Sequence, residues 1–245
     1  MFSPHPDDES IIGALPLRLR RELNYDVRVV AVTQGSRADR QTARFEEMRG
    51  ACDYLSFKLI QTRPGGLLNI NPKTRNGNPA EWAAAVEIIA RIITEHRPSV
   101  IFMPHDQDWN STHIGTHFLV TDALKTLGPD FQCRVVETEF WRAMAEPNLV
   151  IESTPDEVAD LVAAISFHKG EVIRNPYHLT LPAWMADNVR RGGEIVGGQG
   201  GAAPTFPFAT LYRIREWSQG GFETTARAGR VVARDGALAD LFGKA

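Results

Sequence analysis

Val27-Arg28-Val29-Val30-Ala31-Val32-Thr33 decides the fold class. The run is short, apolar and rich in β-branched residues, the pattern of a strand buried on both faces. Helical character follows from Thr42 to Leu55, then a second strand pattern from Phe57 to Gln61. Trp82, Val86, Ile89, Ala90 and Ile93 recur at helical spacing within Ala80 to His96, and Arg97-Pro98 ends that helix. Ser99 to Met103 reads as the next strand, Ser111 to Leu127 as a helix stopped by Gly128-Pro129, and Arg134 to Phe140 as a further strand. Strands alternating with helices of this length indicate βαβ units: an α/β fold with a mostly parallel sheet flanked by helices. Later the pattern loosens. Pro155 to His168 and Trp184 to Arg191 read as helices, and Phe208 to Arg215 as a late strand. Gly192 to Pro204 holds six glycines and reads as a mobile loop. The expectation is one domain over residues 1–245, with 171–245 as its irregular, variable C-terminal part.

Upstream lies Ser3-Pro4-His5-Pro6-Asp7-Asp8-Glu9-Ser10. A helix beginning near Asp8 leaves only Met1 to Pro4 for a strand, shorter than the usual five residues or so. One imidazole and three carboxylates therefore fall where a strand gives way to a helix. Acidic residues at a helix start complement its dipole, an ordinary structural role. The histidine before them adds a second reading. Imidazole and carboxylate suit Zn²⁺, and neighbouring carboxylates cannot all bind one ion, so one is left free as a base. A second constellation, His105 to His117, holds three of the seven histidines. It too follows the C-terminal end of a strand, where open α/β sheets bind ligands. His113 and His117 stand four apart and share a helix face, so one or both are candidate ligands.

These residues carry a resemblance. Ser3 to Ser10 resembles the signature of the PIG-L/LmbE-like superfamily of zinc-dependent N-acetylglucosaminyl deacetylases. Arg44-Phe45-Glu46-Glu47 with Ala51 and Leu55 is similar to that family's R-x-x-E-x-x-x-A-x-x-x-L helix, and Asn110-Ser111-Thr112-His113 stands where it has H-P-D-H. His168, in Ser166-Phe167-His168-Lys169-Gly170, resembles a later family histidine. The resemblance covers about residues 1 to 170 and implies a Rossmann-like fold with one Zn²⁺. Carried over, it makes His5, Asp8 and His113 the metal ligands, Asp7 the general base, and Glu9 a supporting carboxylate. His117 and His168 are candidates for the catalytic acid. The implied reaction is removal of an acetyl group from an N-acetylated amino sugar or its conjugate by metal-activated water. The chain departs from the pattern twice: Asn110 replaces the first histidine of H-P-D-H, and Lys169-Gly170 replaces part of a Ser-Gln motif. Asn110 keeps open a catalytically silent metal- or sugar-binding member, and an amidase for a larger acyl group is a related alternative.

Other signals are weaker. Arg63 lies in a polar loop suited to sugar hydroxyls or a phosphate, and Trp109 stands near His113 where it could stack on a sugar; with Asn110 these are the substrate candidates. Glu139 and Trp141 are candidates for the pocket wall. His96 suits a helix C-terminus, and no G-x-G-x-x-G supports a dinucleotide site. Composition is that of an ordinary globular chain: 245 residues, 43% hydrophobic, 23% charged, net charge −3. No basic stripe points to nucleic acid, and no apolar run is long enough for a membrane span. The first residues lack the features of a signal peptide. Cys52 and Cys133 are too few for a disulfide framework, so a reducing cytoplasm is the expected location. Exposed sheet edges leave room for a homo-oligomer.

Overall fold

The computed structural model describes residues 1–198, 204–223 and 228–243. The first half runs β1 (Phe2–Ser3), α1 (Asp8–Ile11), α2 (Ala14–Leu23), β2 (Arg28–Ala31), α3 (Ala38–Leu55), β3 (Lys58–Gln61), α4 (Pro72–Gly77), α5 (Pro79–His96), β4 (Val100–Pro104) and α6 (Ser111–Thr126). The second half runs β5 (Cys133–Thr138), β6 (Leu149–Ser153), α7 (Pro155–Ser166), α8 (Lys169–Val172), α9 (Tyr177–Ile195), β7 (Phe208–Ser218), β8 (Gly221–Phe222), β9 (Arg230–Val232) and α10 (Ala239–Phe242). The expected alternation is present through β5.

Two sheets meet where β1 touches β4. One has the order β1-β2-β3 and is parallel throughout. The other has the order β4-β5-β7-β6-β9. Its β4–β5 and β6–β9 pairs are parallel, while β7 runs antiparallel to both β5 and β6, with β8 paired to it. The architecture is the mixed α/β arrangement expected, with β7 as the inserted strand. This strand, from the C-terminal part, is central to its sheet.

Local signals explain the helices. Asn78 caps α5 by accepting from the Glu81 N–H, Pro79 opens it, and Arg97 closes it in the left-handed conformation. Trp82, Ile89, Ile92 and Ile93 are buried on one face. Each such burial contributes roughly 2 kcal/mol before entropy is charged. Thr154 and Glu157 form a reciprocal capping box on α7. Three sequence expectations are corrected. The strand Leu149–Ser153 was not predicted, because its short apolar run lies against turn residues. Helix α9 spans Tyr177–Ile195 rather than Trp184 to Arg191, because Pro182 and Gly192 hide its period. Gly192 and Gly193 belong to that helix, and residues 199–203 of the expected mobile loop lie outside the described residues. No described helix is long and apolar enough to cross a membrane.

Arg18 ties the C-terminal segment to the body. Its side chain is fully buried on α2. The guanidinium pairs with Glu22 and donates to the carbonyls of Glu152, Val232, Ala233 and Arg234. Removing the charge strands those carbonyls and leaves Glu22 without this partner, a loss of about 3 kcal/mol. Arg18→Met is therefore predicted to lower the denaturation midpoint and to make the segment after β9 sensitive to limited proteolysis. An unchanged midpoint and proteolysis pattern would remove Arg18 as the tie.

Candidate metal centre and cleft

The segment after β1 turns sharply. Pro6 limits the backbone, and Asp7 adopts φ 122°, ψ −30°, a conformation that a residue with a Cβ reaches at a cost of about 1–3 kcal/mol. Three contacts hold the turn. Asp7 N–H donates to Glu9 Oε2 at 3.0 Å, Arg44 Nη2 donates to the Pro6 carbonyl at 2.9 Å, and His5 N–H donates to Asp8 Oδ2 at 2.9 Å. The carbonyl of Asp7 accepts from the N–H groups of Ser10 and Ile11, which starts α1.

His113 reaches the same point from α6. The helix begins at Asn110, whose side chain accepts from the Thr112 N–H at 2.8 Å. Gly115 lets α6 lie against the loop before α4: a Cβ there would sit 2.4 Å from the Ile70 carbonyl oxygen. His5 Nδ1, Asp8 Oδ2 and His113 Nε2 then form a nearly equilateral triangle. The two ring nitrogens are 3.2 Å apart, and each stands 3.3 Å from the carboxylate oxygen. Ligands at 2.0–2.1 Å around a tetrahedral ion are separated by about 3.3 Å, so this donor set fits Zn²⁺.

Charge in the centre is concentrated. Burial opposes ionisation of Asp8, but His113 and His5 hold it well below the usual carboxylate range. Burial likewise opposes a charged His113, yet Asp8 and Asp108 push it up to about 9. Asp7 is raised well above the ordinary value by burial and by the Asp8 charge, with Arg44 pulling the other way. Asp108 is buried behind His113, with Oδ1 3.6 Å from Nδ1. The carboxylate also accepts from the N–H groups of Asn110 at 2.8 Å and Trp141 at 3.1 Å, so it faces His113 in a fixed orientation.

The cleft over the triangle has a volume of about 250 Å³. It is lined by His5, Asp7, Asp8 and Asn110 together with Arg44, Trp141, Glu171, Arg174, Asn175 and Tyr177. Within this lining Glu171 holds its neighbours, accepting from Arg174 at 2.6 Å and Asn175 at 2.6 Å. Trp141 packs on Tyr177 at 5.0 Å and stacks with Trp184 at 6.4 Å. A second cavity of about 270 Å³ opens at the other end of β1, lined by residues such as Met1, Tyr25 and Val100. Among the described residues it contains no metal-ligating group of side chains.

The structure thus brings His5, Asp7, Asp8, His113, Asn110 and Trp141 together. It places other sequence candidates elsewhere. Arg63 donates to the Gly66 carbonyl within its own turn, and Trp109 is 75% exposed outside the lining. His117 is buried beneath the cleft, with Nδ1 donating to the Pro104 carbonyl at 2.9 Å and facing Glu137 at 3.6 Å. Burial, only partly offset by Glu137, keeps it below its ordinary value and so neutral. His168 is buried against Glu9. Glu139 pairs with Arg191 rather than with the cleft. Sequence reasoning missed Asp108, whose only signal is its place five residues before His113. It also missed Glu171, Arg174, Asn175 and Tyr177, which no motif marks.

The family model for GlcNAc-PI de-N-acetylase, PIG-L, matches residues 1–124, half of the chain. The chain belongs to the PIG-L family. The match contains β1 to α6 and with them every corner of the triangle. No curated protein matches the chain. Solved structures share the fold. One is N,N'-diacetylchitobiose deacetylase from Pyrococcus horikoshii, with a TM-score of 0.62 and 14% identity over 89% of this chain and 82% of that one. A deacetylase of the teicoplanin biosynthesis pathway has a TM-score of 0.60 and 15% identity over 88% and 97%. GalB, the 4-carboxy-2-hydroxymuconate hydratase of Pseudomonas putida KT2440, has a TM-score of 0.64 and 14% identity over 95% and 98%.

A carboxylate behind a ligating histidine fixes the ring and raises its basicity, and its loss typically costs 10–100-fold in metal affinity. Asp108→Ala is predicted to weaken zinc binding by roughly that factor, measured by chelator competition. Equal affinities would show that Asp108 only caps the loop.

Proposed function

We propose that this PIG-L family member is a zinc-dependent N-deacetylase that removes an acetyl group from an N-acetylated amino sugar or its conjugate. The observation that carries the reading is the His5–Asp8–His113 triangle with Asp7 beside it in a cleft. The fold shared with two deacetylases that act on N,N'-diacetylchitobiose and in teicoplanin biosynthesis supports it. The three residues would hold Zn²⁺, which supplies Lewis acidity and an acidified water. Asp7 is the base. It accepts the proton of the attacking water and, once protonated, returns it to the departing amine. Burial suits Asp7 to this exchange, because a carboxylate in a dry site binds the proton more readily than one in water. Asn110 takes the place of a family histidine. Its side-chain oxygen is engaged as the α6 cap, which leaves its amide N–H groups to position the substrate.

Trp141 and Tyr177 provide an aromatic wall for a sugar face, and Arg174 and Asn175 provide polar contacts. We take the whole chain as one domain, because β7 completes the sheet that carries β4 and β5. Two free, buried cysteines suit a reducing compartment, and we assign the cytoplasm. A second reading has one observation in its favour: the hydratase GalB matches nearly the full length of both chains. Addition of water to an unsaturated tricarboxylate would use Arg44 and Arg174 as carboxylate partners. Acetate release from N-acetyl sugars, against hydration of unsaturated tricarboxylates, separates the two.

Asp7→Asn is expected to keep its zinc and to lose about 10²–10⁴-fold in turnover. Near-wild-type turnover would remove Asp7 as the base. His5→Ala and Asp8→Ala are expected to lose metal, measured by elemental analysis. Full zinc occupancy in both would refute the ligand set.

A further inference from the structure

We propose that His168 is a positioning residue that acts through Glu9 to hold Asp7 in its left-handed backbone conformation. The inference rests on the reading of Asp7 as base. It begins with the geometry of Glu9, which is fully buried and has both carboxylate oxygens engaged. Oε2 accepts from Asp7 N–H at 3.0 Å and lies 3.5 Å from Ser3 Oγ. Oε1 accepts from Ser10 Oγ at 3.1 Å and from His168 Nε2 at 2.6 Å. The serines and Asp7 belong to the same short stretch of chain, and among the described residues only His168 comes from a distant element. It is also the only imidazole among Glu9's partners, and its 2.6 Å contact is by far the shortest. Charge-assisted bonds of this kind are the strong ones, and a buried carboxylate without such a donor is costly to keep.

His168 is buried, does not line the cleft, and has an Nδ1 without a hydrogen-bond partner among the described residues. It therefore cannot hand a proton to a molecule in the cleft. What it touches instead is the group that grips the Asp7 amide. The junction that carries it is itself anchored. Glu47 accepts from Gly170 N–H at 3.1 Å, and one turn earlier on α3 Arg44 donates to the Pro6 carbonyl. One helix thus holds both the His168 segment and the metal-binding turn, and His168–Glu9 closes the loop between them. Through α8 the same junction leads to Glu171 in the cleft lining.

The test compares zinc-loaded wild type with His168→Leu, which removes the donor, and His168→Gln, whose amide N–H reaches the same distance. His168→Asn, polar but too short, replaces leucine if the leucine variant fails to fold. The first readout is hydrogen exchange of the Asp7 amide, followed by NMR. It is independent of any substrate, so it stands even if the deacetylase reading fails. Asp7 N–H should be protected in wild type and His168→Gln and unprotected in His168→Leu or His168→Asn. The second readout is turnover on whichever N-acetyl sugar the wild type hydrolyses. Small misplacement of a reacting group costs about 10²-fold, so kcat should fall by roughly that factor in the leucine or asparagine variant, with KM and zinc content retained. Glutamine should recover most of it. Equal protection of the Asp7 amide in all variants would overturn the proposal, as would loss of kcat in His168→Gln with the amide still protected.

Discussion

The site depends on a backbone turn that few side chains favour. Asp7 lies at φ 122°, held by the Glu9 carboxylate on its N–H and by Arg44 on the carbonyl before it. That turn sends His5 and Asp8 to one point and leaves Asp7 free beside them. The strain is offset by fixed partners: Ser3 from β1, Ser10 from α1, and the α3 and α7–α8 segments behind them.

The meeting of the two sheets makes the second half of the site reachable. β1 touches β4, so the loops leaving their C-terminal ends open side by side. His113 enters from the second loop on a helix capped by Asn110 and seated closely because residue 115 is glycine. Asp108 then sets the ring from behind. The arrangement follows the general rule that open α/β sheets bind ligands beyond the carboxyl ends of their strands. Here the rule is met by a strand of only two residues.

Much of this is legible in sequence, and the boundary has physical causes. His5 to Glu9 can be read because all of its groups are contiguous, and the buried strand at Val29–Ala31 because apolar β-branched runs have few other uses. The family resemblance is confirmed over residues 1–124, and the mixed α/β fold with it. His168 is legible as a residue but not as a direction: whether an imidazole faces a cleft or a buried carboxylate is decided by packing from a distant helix. The same holds for His117, which a helical wheel places with His113 but which turns toward Pro104 and Glu137. The rest of the cleft lining is illegible because Glu171 lies on a four-residue helix, Arg174 and Asn175 on the turn after it, and Tyr177 at the start of α9, none of them within a periodic pattern. The β7 strand shows the reverse case. It was read as a strand, yet its place between β5 and β6 depends on long-range pairing that local patterns do not carry.

The central claim is that His5, Asp8 and His113 together hold one zinc ion. Anomalous diffraction at the zinc absorption edge, on crystals of the zinc-loaded protein, tests it most directly. The account predicts a single strong peak about 2.0–2.2 Å from His5 Nδ1, Asp8 Oδ2 and His113 Nε2. A peak at another cluster, or no peak among these three atoms, would contradict it.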